Sequence, residues 1–319
     1  MARDLMVVNG DITLRVQVSG EGSPVVCVSG WPELGSSWHH QVAHLADRGY
    51  QVAALDVRGY GGSSAPREIE RYTLRELAGD VAAVVGALDS GPAVLVGHDW
   101  GSPIVWNTAL RHPEVTRAVA GLSVPYIPAG THSILEIMDV LNPDKFFYMR
   151  YFQTPGVAEA AFDADVRAAL KKVYYALSGE VPLGTFMTSA PRDAEFLTLL
   201  PDAPDGPLSF ISDSELDKIA NTFEHTGFTG AFNRYRAVNL DVAESSDLVG
   251  ALVEQPSCFI AGEKDGVRSI VPGSDLFSNA GVGCTDFRGT TLVNGAGHWV
   301  QQEAPRDVND ALVAFLETL

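Results

Sequence analysis

Residues 93 to 101 read AVLVGHDWG, and the spacing of Gly97, Asp99 and Gly101 is that of a strand-turn-helix elbow, which lifts one side chain out of a sheet on a strained backbone. A Cβ at either glycine would crowd such a turn. The lifted group is a carboxylate. A serine in that place attacks acyl carbon, whereas a carboxylate displaces a leaving group from an sp3 carbon and stays joined to it as an alkyl ester. Freeing the enzyme then requires a base to activate water and a group to orient that base. His298, in GAGHW, follows the last strand-like run, where a sheet edge delivers side chains; His39, His40, His44, His112, His132 and His225 read as helix or loop positions. The orienting acid belongs after a late strand, and Asp265 in AGEKDGV stands there, although Asp-Gly is also a common turn pair. The competing place, after residues 118 to 124, reads VPYIP and offers no acid. Nucleophile, acid, histidine is the chain order of one large class of hydrolytic sheets.

These groups need a sheet to hold them. Residues 5–9 and 12–19 alternate around Asn9-Gly10-Asp11, a hairpin signal, and the apolar runs at 25–30, 51–56, 93–97 and 118–124 read as buried strands separated by helices. One helix carries Trp38, Val42 and Leu45; a second, opened by a capping box of Thr73 and Glu76, carries Leu74, Leu77, Val81, Val85 and Leu88. The alternation stops after Val124, and residues 125–241 read as helical. It resumes at 257–262 and 290–298, before a last helix with Val308, Leu312, Phe315 and Leu319 on one stripe. The expectation is an α/β fold: a mostly parallel, doubly wound sheet in a core of residues 1–124 and 242–319, with an all-helical lid inserted at 125–241.

A chain of 319 residues, 46% hydrophobic, can bury a large core, and its net charge of −18 disfavours nucleic acid and anionic membrane surfaces as partners. The opening residues show no apolar stretch of signal-peptide length, and Cys27, Cys258 and Cys284 read as free thiols, so the expected location is the cytoplasm. His40 and His44 have the spacing of a zinc helix, but Gln41 replaces the glutamate and no third ligand is evident. Gly59, Gly61 and Gly62 form no phosphate cradle. Neither a metal nor a cofactor is expected.

Beyond the elbow, GWPE (30–33), DVRGYGGSS (56–64), FFYMRYFQTPGVAE (146–159), FNRYRAV (232–238) and GAGHWVQQE (295–303) together resemble the α/β-hydrolase-fold epoxide hydrolases of the soluble type, over nearly the whole chain. The resemblance implies that Tyr148 and Tyr235, in the lid, hold and protonate an epoxide oxygen, with Tyr151 a rival to Tyr148 one turn away. It implies an oxyanion hole from the backbone N–H groups of Trp31 and Trp100, whose rings would also shape the pocket. One departure is Ser29 where the family usually has His, which puts the hydrogen bonding of that loop in question. The expected partners are a small neutral or apolar epoxide and water, and a homo-oligomer stays open. A dehalogenase with the same Asp-Trp pair is the nearest rival, though its usual lid tryptophan is missing from 125–241; a non-catalytic small-molecule receptor is the other.

Overall fold

The central apolar runs become neighbouring strands because both of their faces are covered, the condition that parallel pairing imposes. In the computed structural model, which describes residues 2–182 and 190–319, the strands are β1 (Arg3–Asn9), β2 (Ile12–Ser19), β3 (Ser23–Val28), β4 (Tyr50–Leu55), β5 (Ala93–His98), β6 (Thr116–Leu122), β7 (Ser257–Gly262) and β8 (Phe287–Val293). They form one sheet in the order β1-β2-β4-β3-β5-β6-β7-β8. β1, β2 and β4 pair antiparallel, and the pairs from β4 to β8 are parallel. Gly10, at φ +62°, makes the tight β1–β2 turn.

Helices α1 (His39–Ala46), α2 (Leu74–Leu88) and α3 (Gly101–Arg111) lie among the first six strands. Between β6 and β7 come α4 (Ile134–Leu141), α5 (Tyr148–Tyr151), α6 (Val157–Asp163), α7 (Val166–Leu177), α8 (Phe196–Leu199), α9 (Asp213–Thr226), α10 (Thr229–Arg236) and α11 (Val238–Glu244); α12 (Val300–Glu303) and α13 (Pro305–Leu316) close the chain. Trp38, Val42 and Leu45 of the α1 region pack with Val308, Leu312 and Phe315 of α13 on one face of the sheet. Leu77, Val81 and Val85 of α2 pack with Ile104 and Val105 of α3 on the other. Position 241, the expected end of the helical insertion, falls inside α11, where the Asp241 carboxylate accepts the Leu74 N–H at 2.7 Å.

Two local expectations need correcting. Thr73 does cap α2 by accepting the Glu76 N–H at 3.4 Å, but the Glu76 carboxylate turns to Arg58 Nη1 at 3.1 Å, so only half of the capping box forms. A buried guanidinium outcompetes a backbone N–H for a charged acceptor. Complete boxes stand instead at Ser133–Glu136 and Ser212–Glu215. Leu319 lies past the end of α13, half-buried against the same apolar cluster.

Chain order places β4 on one side of β3 and β5 on the other, so the loops after β3 and β5 leave in opposite directions. The crevice between them, at the carboxyl ends of the strands, is where such sheets hold ligands.

Candidate active site

β5 delivers Asp99 to that crevice. Its φ of +50° lies in the left-handed region that a non-glycine residue enters at a cost, and the elbow is over-determined by its glycines. A Cβ on Gly97 would strike the Gly101 carbonyl, and one on Gly101 the carbonyl of Val28 in β3. Gly30, after β3, is equally constrained, because a Cβ there would overlap both the Asp99 side chain and the Trp100 backbone nitrogen. That close approach lets the Trp31 N–H donate to Asp99 Oδ1 at 2.7 Å.

The other carboxylate oxygen faces the base. His298 Nε2 lies 3.4 Å from Asp99 Oδ2, and its Nδ1 lies 3.1 and 3.2 Å from the two oxygens of Asp265. Asp265 is fully buried, and its carboxylate also accepts the Val267 N–H at 2.9 Å, which fixes its orientation. The histidine's own loop is tied into the helical insertion. His298 N–H donates to the Leu177 carbonyl at the end of α7 at 2.9 Å, and Glu303 accepts from Gly179 N–H, Gly297 N–H and Trp299 N–H at 2.8, 2.9 and 3.0 Å. A Cβ on Gly297 would collide with the backbone at 177–179.

From above, α5 and α10 bring Tyr148 and Tyr235 together, with ring centroids 5.9 Å apart at 78°. A buried Arg236–Glu159 pair at 2.8 and 2.9 Å and a bond from Gln153 to the Tyr235 carbonyl at 2.9 Å hold those segments in register. Both tyrosines line one cavity together with Trp31, Asp99, Asp265 and His298. Its other walls include Val173, Leu177, Phe196, Leu200 and Ile270, so the space is apolar apart from these groups.

The charges follow from this packing. Burial alone would strip the proton from His298, but the Asp265 and Asp99 carboxylates prevail and hold its pKa well above the ordinary imidazole value. Asp99, also disfavoured as an anion by burial, is held below the usual carboxylate range by His298, His98 and the Trp31 N–H. Burial first, and the charge of Asp99 second, push both Tyr148 and Tyr235 well above the ordinary phenol. They therefore stay protonated across the neutral range.

The chain that carries an elbow carboxylate, a carboxylate-oriented histidine and two protonated phenols in one apolar cavity is similar to known proteins over nearly its full length. Residues 23–305 match the model of the α/β-hydrolase-fold family. The chain is 40% identical to epoxide hydrolase A of Mycobacterium tuberculosis, an alignment covering 99% of this chain and 97% of that one. The crystal structure of epoxide hydrolase A from Mycobacterium thermoresistibile is similar at 38% identity and a TM-score of 0.91, covering 99% and 98% of the two chains; an epoxide hydrolase from an endophytic Streptomyces gives 37%, 0.93, 99% and 95%. The chain belongs to the α/β-hydrolase-fold epoxide hydrolases.

In this epoxide hydrolase six of the seven residues singled out from the sequence line one cavity, and the seventh does not. Trp100 contributes no wall, contrary to the expectation. Its ring stands edge-on behind Tyr235, centroids 5.3 Å apart at 81°, with Arg234 over its face at 4.7 Å. Helix α3 starts at the next residue. Tyr151, the rival of Tyr148, points elsewhere and donates to Glu195 at 2.8 Å. Ser29 closes its loop by donating to the Leu34 carbonyl at 2.9 Å.

Two buried residues escaped notice although both lie inside motifs already singled out. Glu33 of GWPE and His98 of GHDWG meet beneath the nucleophile, Nδ1 to Oε2 at 2.6 Å, and Gln301 and Gln302 donate to the other Glu33 oxygen at 2.7 and 3.2 Å. His98 Nε2 lies 2.7 Å from the His298 carbonyl; a carbonyl only accepts, so Nε2 is the donor of that bond. The signal was a charged pair flanking apolar strand ends, where burial without a partner is costly.

Proposed function

We propose that this enzyme opens an epoxide to a vicinal diol through a covalent ester on Asp99. The observation that carries the reading is the division of labour between the Asp99 oxygens, Oδ1 on the Trp31 N–H and Oδ2 toward His298. Oδ2 attacks an epoxide carbon, the C–O bond breaks, and the oxygen takes a proton from Tyr148 or Tyr235. An alkoxide is far more basic than a phenolate, so even a phenol raised by burial suffices as donor. The ester carbonyl is then Oδ1, already on a hydrogen-bond donor.

Esterification removes the charge of Asp99, one of the two that keep His298 protonated, so the imidazolium gives up its proton, which restores the spent phenolate to a phenol, and the base becomes competent when it is needed. His298, oriented by Asp265, takes a proton from water as the oxygen attacks the ester carbonyl. Negative charge on Oδ1 is met by the N–H of Trp31, with the Trp100 N–H at the start of α3 as the second donor. Collapse expels the diol oxygen, which takes the proton from His298, and the carboxylic acid left on Asp99 then returns its proton to His298, restoring the starting ion pair.

We read the β6–β7 insertion, residues 125–241, as a lid over a core of 1–124 and 242–319, the substrate as a small neutral or apolar epoxide, and the location as the cytoplasm, which the three free thiols support. A single turnover with enzyme in excess in heavy-oxygen water tests the mechanism. The label is expected in Asp99 and not in the diol; a labelled first diol would overturn it.

A further inference from the structure

One face of the Trp100 indole is occupied by a cation that the mechanism above does not use. Arg234, buried at 2% exposure, lies with its guanidinium carbon 4.7 Å from the indole centroid. Its Nη1 donates to the Tyr72 carbonyl and its Nη2 to Asp241, which also accepts the first N–H of α2. Its Nε has no hydrogen-bond acceptor, so the indole face takes the place of one. Asn233, one residue earlier, donates to the Arg67 carbonyl at 3.0 Å. Residues 233 and 234 of α10 are thus fastened to the core segment 67–74, and residue 235 is the candidate proton donor.

Consecutive side chains of α10 therefore hold Trp100 from two directions, Arg234 over the face and Tyr235 against the edge. We propose that Arg234 is a positioning residue for ring opening, which acts by pinning the Trp100 indole so that this ring fixes the Tyr235 hydroxyl over Asp99. The Trp100 side chain works in the same direction, against burial and the Asp99 charge, to make the phenol a better acid. Arg234 touches neither substrate nor reacting atoms and does not line the cavity. The inference rests on the role given above to Tyr235.

The two half-reactions separate that role from plain structural support. Ester formation needs the phenol; ester breakdown by His298 does not. In Arg234→Gln, rapid-quench measurement of protein-bound radiolabelled substrate should show ester formation slowed about tenfold or more, the order of a lost buried cation–π contact, with ester breakdown changed less than about twofold by the same principle of separate steps. Arg234→Lys should recover most of the rate. Combined with Tyr235→Phe, Arg234→Gln should add almost nothing. Equal slowing of both steps, an unchanged first step, or full additivity with Tyr235→Phe would each overturn the proposal. Should Arg234→Gln fail to fold, Trp100→Phe, which keeps a ring for the cation but loses the indole N–H, must slow ester formation selectively or the proposal fails. Absence of any protein-bound ester in the unmodified enzyme would instead refute the covalent reading itself.

Discussion

The imidazole of His98 and the backbone of His298 share a hydrogen bond: His98 Nε2 lies 2.7 Å from the His298 carbonyl, across 200 residues of chain. The neighbour of the nucleophile thereby braces the base, and Ser123, at φ +65°, donates to the same carbonyl at 3.0 Å. Position and orientation of the two reacting groups are set by one buried network, the kind of support that keeps reacting atoms within a fraction of an ångström.

Glu33→Gln should expose how much that brace contributes. It breaks a pair in which both side chains are fully buried, and removing one member of such a pair costs about 3–5 kcal/mol. Equilibrium urea unfolding should show a lower midpoint with an unchanged slope, and activity should fall with it.

Gly30→Ala is expected to damage the nucleophile loop directly. The added methyl overlaps Asp99 and the Trp100 nitrogen, so the loop must shift, at about 1–3 kcal/mol for overpacking. Turnover should drop more steeply than stability, because the Trp31 N–H moves off Oδ1; equal losses in the two assays would contradict this.

Tyr148→Phe and Tyr235→Phe should each slow ester formation by about 10²-fold or more, the usual worth of a positioned acid. The double variant should form no ester in rapid-quench assays. Tyr151→Phe should behave as the unmodified enzyme, since that hydroxyl is engaged with Glu195.

The pH behaviour follows from the sign of each shift. His298 is raised, so the stability it lends is complete below its ordinary value of 6.5 and is lost as pH rises through its native value; Asp99 is lowered, so its contribution is complete above 3.8 and is lost as pH falls through its native value. Catalysis adds a sharper test. Ester breakdown needs neutral His298, and Asp265 is the strongest influence raising it against burial. Asp265→Asn should therefore move the acidic limb of ester breakdown to lower pH while lowering its plateau, in single-turnover measurements across pH.

The legibility of this enzyme in its sequence is uneven for physical reasons. Elbow, strands and helix stripes announce themselves because glycine spacing and apolar period are local properties, and Asp99, His298 and Asp265 stand where those elements end. The Glu33–His98 pair and the Arg234–Trp100 stack are not periodic; they depend on segments that meet only in three dimensions. Half of the Thr73 capping box failed for the same reason, since Arg58 arrives from a distant loop to claim Glu76. Trp100 was misplaced because an N–H at a helix start says nothing about where its ring goes.

The bond from His298 N–H to the Leu177 carbonyl limits how far the architecture is modular. Grafting a foreign insertion between β6 and β7 to change substrate scope would remove an acceptor on which the catalytic base depends. Recombination of such enzymes should transfer residues 177–179 and 295–303 as one cassette, with the crossover points placed outside both.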